Sequence, residues 1–478
     1  LTGSERTLLR CRVAADLIHK GQYDAARDAL GVLWRGVGQR PDVEGLDDGS
    51  AAEVLLQVGA LSGWLGASRQ AKGAQEAAKD LISESISLFK SLGQIEKAAD
   101  AQSDLALCYW REGAYDEARV LLSKASAELA QASAEQRAIV LLRRVTVEYT
   151  AGRFNDALNL LNEHALLFDE SQSPALIGSF HNHRALVFRR LGVVEGHADY
   201  LDRAIIEYVA AIHHYKLARN ERYSACIENN LAFLLHKLGR YDEAHEYLDR
   251  AGITLVKLGD AGLLAQVDET RALVLIAEKQ YREANKLIAR AIQTLEQGGA
   301  SALLADAMTV QGIARARLGA FEESIRILRQ AASVAEESGA LSNAGKAVLT
   351  LIEEHGARRV LSSDELYELY SRADRLLRDT QDAEDIARLR RCASIVLHRL
   401  AGVQLDDPNF TLIGAVHELE ARLIGKALDR AGGSVTRAAK LLGIRHQTLG
   451  SILNTRHKRL QAKRTPAEKR LRSIIKEE

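Results

Sequence analysis

The sequence predicts an all-α chain in which a long array of helical hairpins precedes a small, separate helical domain. Three observations predict it. Ala, Leu, Arg and Glu, all strong helix formers, dominate the 478 residues, and Pro occurs only four times. No run of alternating Val, Ile and Thr suggests a sheet. One turn pattern, Gly-x-aromatic-x-x-small, recurs at near-constant spacing along most of the chain.

The pattern appears as Gly21-Gln-Tyr23-Asp-Ala-Ala26, Gly113-Ala-Tyr115-Asp-Glu-Ala118 and Gly152-Arg-Phe154-Asn-Asp-Ala157. It returns as Gly239-Arg-Tyr241-Asp-Glu-Ala244, Lys279-Gln-Tyr281-Arg-Glu-Ala284 and Gly319-Ala-Phe321-Glu-Glu-Ser324. The glycine supplies the left-handed residue that ends a helix. The aromatic fills the wedge between paired helices, and the small residue lets them cross closely. A second small residue, Ala14, Ala106, Ala232 or Gly312, precedes the turn by seven positions, where the helices of one hairpin meet. Weaker units are expected at 51–92, at 175–219 with a longer turn after Gly192, and at 341–378, giving eight or nine hairpins. Pro41, Pro174 and Pro408 fall between units, as residues hostile to helix interiors should.

Over roughly residues 5–400 this pattern resembles the tetratricopeptide family. Gly113, Gly152, Gly192, Gly239, Lys279 and Gly319 are 39, 40, 47, 40 and 40 apart, so each unit is longer than that family's usual repeat. The resemblance implies a right-handed superhelical solenoid with a groove for an extended peptide or a partner helix. It places Asn182, Arg189 and Arg190 of one unit, and Asn229, His236 and Lys237 of the next, on that groove. Asn at such positions can bond both the N–H and the C=O of a bound backbone. The competing reading is a set of solvated polar residues on an exposed helix face.

After Pro408 the pattern changes. Helices are expected over 416–428, 435–442 and 445–454, with Gly432 and Gly433 ending the first. Ser434 caps the second, Gly443 makes the sharp turn and Ile444 plugs the corner. Leu419, Leu423, Ile424, Ala427, Leu428, Ala438, Ala439, Leu442, Leu449, Ile452 and Leu453 are expected inward. Two such helices joined by a Gly turn form a DNA-reading unit.

The run of Leu423, Ala427, Gly433, Ala438, Gly443, Thr448 and Leu453 over about 45 residues resembles the Fis-type helix-turn-helix. That resemblance implies major-groove reading by the third helix, usually as a homodimer on a dimeric site. It puts Thr448 at a phosphate and Arg445, His446 and Gln447 at the opening of the reading helix, where Arg can pair with guanine. Gly450 and Ser451 stand where relatives often carry Arg or Lys. The basic run Arg456, His457, Lys458, Arg459, Lys463 and Arg464 is expected to supply phosphate contacts instead, and affinity would then fall steeply with salt. A solvated charged tail is the competing reading.

Charge supports the assignment. From Arg437 onward there are twelve Lys or Arg against three acids, a net plus nine, so the neutral total leaves the preceding residues at minus nine. A polyanion partner is expected for the end only. The expected domains are a solenoid over 1–400, a linker over 401–411, the helix-turn-helix over 412–460 and a basic tail over 461–478.

The sequence contains no GxxxxGK[ST] phosphate loop, GxSxG or HExxH, and no enzymatic activity is expected. His181, His183, His213 and His214 fall in one hairpin, but residues two apart on a helix diverge, so neither a metal nor a cofactor is expected. Cys11, Cys108, Cys226 and Cys392 form no CxxC pair and are expected as reduced thiols within helices. The chain begins at Leu1 rather than Met, so its native start is expected to lie elsewhere. With neither a secretory signal nor an apolar run of membrane length, a cytoplasmic, nucleoid-associated protein is expected. Together these readings predict a transcription regulator that binds DNA and a peptide or protein. The alternative is a scaffold tethered to nucleic acid without sequence preference.

Overall fold

A computed structural model describes residues 3–68, 73–298, 301–358, 360–378, 380, 382–401 and 411–464. These residues are all-α, and contacts divide the chain into two compact units at Ala393/Ser394. Of the expected linker and tail, 402–410 and 465–478 lie outside the described residues.

The first unit is a succession of antiparallel helical hairpins, nine among the described residues. They are α1 (Gly3–His19) with α2 (Tyr23–Leu30), α3 (Asp48–Ser68) with α4 (Ala74–Ser91), and α5 (Ile95–Arg111) with α6 (Tyr115–Glu128). Next come α7 (Ala134–Thr150) with α8 (Phe154–Glu163) and the one-turn α9 (Leu166–Asp169), then α10 (Pro174–Glu195) with α11 (Ala198–Leu217). The series continues with α12 (Glu221–Lys237) and α13 (Tyr241–Leu258), α14 (Ala261–Ala277) and α15 (Tyr281–Gly298), and α16 (Ser301–Arg317) and α17 (Phe321–Glu337). The ninth pair is α18 (Leu341–His355) and α19 (Ser363–Leu376), and α20 (Ala383–Ala401) packs after it.

The repeated small residues hold the hairpins together. Ala26, Ala118, Ala157, Ala244, Ala284 and Ser324 are all fully buried, as are Ala14, Ala106 and Ala232 opposite them. At Gly312 a Cβ would come within 2.5 Å of Leu328, so this crossing admits no side chain. The intra-hairpin turns are left-handed, with Gly239 at φ 75° and Lys279 at φ 65°. Lys279 therefore occupies a conformation that costs an L-residue about 1–2 kcal/mol.

One expected turn is elsewhere. Gly192 does not end its helix: α10 runs on to Glu195, and Gly196 at φ 69° makes the turn. Gly192 is buried inside α10, where a Cβ would meet Leu201 at 2.5 Å. It is small because another helix lies against it, the same reason as at Gly312. Cys11, Cys108 and Cys392 are buried and Cys226 part-buried, all as free thiols. No described helix is long and apolar enough to cross a membrane.

First helices of successive hairpins lie side by side, joined by polar pairs. Gln136 donates to Asp100 at 3.0 Å, Arg143 to Asp104 at 2.7 Å, and Asn343 to Asp306 at 2.7 Å. The array also curves back on itself. Gly21 approaches Arg222, whose Nη1 would be 3.0 Å from a Cβ at the glycine. The start of α20 reaches α10 and α12, through Asp382 to Arg190 and Glu384 to Lys237.

The second unit contains α21 (Leu412–Arg430), α22 (Val435–Leu441), α23 (His446–Thr455) and a 3-10 turn over Lys458–Lys463. Thr411 caps α21 by accepting from the Gly414 amide at 3.0 Å, and Ser434 caps α22 by accepting from Arg437 at 3.4 Å. Ile424, Ala427, Leu428, Ala431, Ala438, Ala439, Leu449 and Leu453 form its core. Leu423 and Ile444 do not join it. Leu423 is 49 % exposed and Ile444 37 % exposed, because the alanines Ala427, Ala438 and Ala439 already close the space between these helices.

Candidate functional site

In the second unit, the residues that the sequence reading expected at DNA lie at the start and along the outer side of α23. Gly443 at φ 68° separates α22 from α23, and Arg445 is the N-cap residue of α23. Leu449 and Leu453 are buried beneath α23, which leaves Arg445, His446, Gln447, Thr448 and Ser451 exposed on its outer side. The first turn of α23 thus offers a guanidinium, an imidazole, an amide and a hydroxyl, the groups that pair with base edges and phosphates.

The basic run after α23 is more tightly built than a tail. His457 is buried, and its Nε2 lies 2.7 Å from Oε2 of Glu420 on α21. The edge of His417 meets its ring at a centroid separation of 5.9 Å. His457 is therefore a structural brace and not a surface group. Arg456 pairs with the same Glu420 at 3.7 Å, and Lys463 pairs with Asp429 at 2.7 Å. Leu460 packs on the core, and Gln461 donates to the Leu453 carbonyl at 3.1 Å. Lys458, Arg459 and Arg464 are exposed. Lys469, Arg470, Arg472 and Lys476 lie outside the described residues.

In the first unit, the six residues expected on the groove lie on α10 and α12. Arg190 and Lys237 are both held by the start of α20, at 2.7 Å to Asp382 and 2.9 Å to Glu384. Arg190 also donates through Nε to Tyr149 at 3.3 Å. Arg189 and Arg190 lie in the electrostatic reach of the buried Tyr208 hydroxyl, and burial pushes that phenol up to about 12. The Oδ1 atoms of Asn182 and Asn229 and the Nδ1 of His236 are buried without a hydrogen-bond partner. Burial, then the neighbouring Lys237, lowers the His236 imidazole to about 4, which keeps it neutral.

Unsatisfied polar atoms concentrate here. α10, α11 and α12 also carry Arg184 Nε, Tyr208 Oη and His214 Nδ1 buried and unpartnered. Each such group costs about 1–3 kcal/mol unless something polar meets it, so their density is a property expected of a binding surface. His181 stacks on His214 with centroids 5.4 Å apart and takes a 2.6 Å contact to Glu207, so the two histidine pairs do converge. Among the described residues no group of three or more His, Cys, Asp or Glu is arranged to hold a metal ion.

The sequence reading missed two carboxyls on neighbouring first helices. Glu269 of α14 is part-buried, and its desolvation, with Asp306 adding to it, pushes its carboxyl up to about 8. Burial also raises Asp306, against the hydrogen bond from Asn343. The signal was present: Glu269 lies 40 residues after Asn229, one repeat along.

A profile of bacterial regulatory proteins of the Fis family matches residues 415–451. Residues 415–451 thus carry a Fis-type helix-turn-helix, and the paired hairpins before them are tetratricopeptide-like in fold. No curated protein sequence matches the chain. Among solved structures, the chain is similar to a Rap protein complexed with competence and sporulation factor, at 18% identity and TM-score 0.48. That match covers 77% of this chain and 100% of the other. It is also similar to yeast Tom70, at 13% identity and TM-score 0.47, covering 87% and 85%. A third match is BtubC from P. vanneervenii, at 18% identity and TM-score 0.41, covering 47% and 92%.

Proposed function

We propose that the chain is a transcription regulator whose helix-turn-helix reads the major groove of DNA and whose helical hairpins bind a peptide or protein. The observation that carries this reading is the exposed row Arg445, His446, Gln447, Thr448 and Ser451 over the buried Leu449 and Leu453. A polar first turn on a locked helix holds base-reading groups in one geometry, which specificity requires. Lys458, Arg459 and Arg464 add phosphate contacts. The unpartnered polar atoms of α10 to α12 support a ligand site in the hairpins.

The regulator acts as a homodimer in the cytoplasm and catalyses no reaction. Ile413, Val416 and Leu423, 69 %, 38 % and 49 % exposed, lie three and seven residues apart along α21. That spacing puts them on one side of the helix, an apolar stripe suited to the same stripe of a second copy.

The second reading, a scaffold tethered to nucleic acid without sequence choice, draws on the exposed cations Lys458, Arg459 and Arg464, because phosphate contacts carry no sequence information by themselves. Nuclease footprinting on long duplex separates the two. Protection confined to a two-fold symmetric site supports the regulator, whereas uniform protection supports the tether and contradicts sequence-specific reading.

A further inference from the structure

Two cations of the expected groove are already occupied, by the chain itself. Arg190 on α10 and Lys237 on α12 are 47 residues apart, equivalent positions of adjacent units. Both meet one short acidic segment: Asp382 Oδ2 lies 2.7 Å from Arg190 Nη1, and Glu384 Oε1 lies 2.9 Å from Lys237 Nζ. These contacts span 192 and 147 positions, so they exist only because the hairpins curve back on themselves. The two pairs differ in exposure, and the Arg190 and Asp382 side chains are 29 % and 19 % exposed. The Lys237 and Glu384 side chains are 45 % and 46 % exposed, and exposed ion pairs hold weakly.

Asp382 is the residue that starts α20, its carboxylate accepting from the Glu384 amide at 2.9 Å. That cap survives without Arg190, so α20 stays folded at its N-terminus when the ion pairs open. On the same two helices, Asn229 Oδ1 and His236 Nδ1 of α12 and Asn182 Oδ1 of α10 are buried with no partner. Asp382 and Glu384 supply carboxylates to the two cations, and neither is a partner of these three atoms.

Building on the peptide-binding reading, we propose that the ligand of this groove is an acidic peptide that displaces Asp382 and Glu384 from Arg190 and Lys237. Its carboxylates take over the two cations, and its backbone satisfies the asparagines on α10 and α12. Binding releases the first turn of α20, the helix through which the chain passes from the first unit into the second.

The double variant Asp382→Asn, Glu384→Gln tests this on the full chain. Asn caps helices as well as Asp, so α20 keeps its start, and an unchanged thermal melt verifies the fold. The probe is an array of random fluorescent heptapeptides, read against wild type, the double variant and Arg190→Gln, Lys237→Gln. The expected result is that retained peptides are acidic, bind the double variant about three- to tenfold tighter than wild type, and are lost from the Arg190/Lys237 variant. Retained peptides that are not acidic, or that bind all three proteins equally, overturn the acidic-ligand inference and leave the peptide groove standing. If no peptide is retained by any of the three, both the inference and the peptide groove fall.

Discussion

His457 and Glu420 meet across the C-terminal unit, with Nε2 2.7 Å from Oε2 and the histidine 4 % exposed. This contact closes the turn after α23 onto α21 and gives half of the basic run a structural task. Replacing His457 with Ala leaves Glu420 part-buried without that partner and should destabilise the unit by about 1–3 kcal/mol. The melting transition of the C-terminal unit should fall, whereas Lys458→Ala with Arg459→Ala should leave it in place. Equal melting of the two variants would contradict the brace.

The same contrast applies to DNA. Lys458→Ala with Arg459→Ala should weaken binding to every duplex and reduce the slope of log affinity against log salt by about 1–2. Mobility shifts at several salt concentrations measure it. An unchanged slope would show that these exposed cations do not touch phosphates.

Replacing Arg445 and His446 together with Ala should remove sequence preference and leave weak, salt-sensitive binding, because backbone contacts persist without base contacts. A footprint identical to wild type would remove α23 as the reading helix.

Glu269 predicts a pH effect. Its folded carboxyl stands at about 8, above the ordinary carboxylate range, so the folded state holds a proton that the unfolded chain has released. The associated stability is complete below about pH 4 and is lost as pH rises toward 8. Glu269→Gln should flatten that decline and raise the melting temperature at pH 8 by about 1–3 °C relative to wild type. Parallel melting curves of the two proteins from pH 5 to 8 would show that Glu269 titrates normally.

Lys279 stands at φ 65° where the other quoted turns have glycine. Lys279→Gly should therefore stabilise the first unit by about 1 kcal/mol, seen as a higher denaturant midpoint with the slope unchanged. A lower midpoint would show that the lysine side chain compensates for its backbone.

Much of the fold was legible because its determinants are local. The small residues Ala118, Ala244 and Ser324 lie three positions after their aromatics and are fully buried, as close helix crossing requires. Gly192 misled because glycine serves two purposes: at Gly239 it turns the chain, and at Gly192 it makes room for Leu201. The exposed face of α23 followed from the inward period of Leu449 and Leu453. His457 could not be distinguished from its basic neighbours, since its partner Glu420 lies 37 residues back. Arg190 and Lys237 were placed by repeat register, but their pairing with Asp382 and Glu384 depends on curvature summed over several hairpins. No local pattern encodes that sum. Glu269 was within reach, one repeat beyond Asn229, and was missed because the register was not carried forward.

The account rests most on sequence-specific reading by α23, and selection of duplexes from a random pool by the full-length chain tests it most directly. The prediction is enrichment of one motif with two-fold symmetry, lost when Arg445 and His446 are both replaced by Ala. A pool that stays random after repeated rounds while still being retained would contradict the regulator.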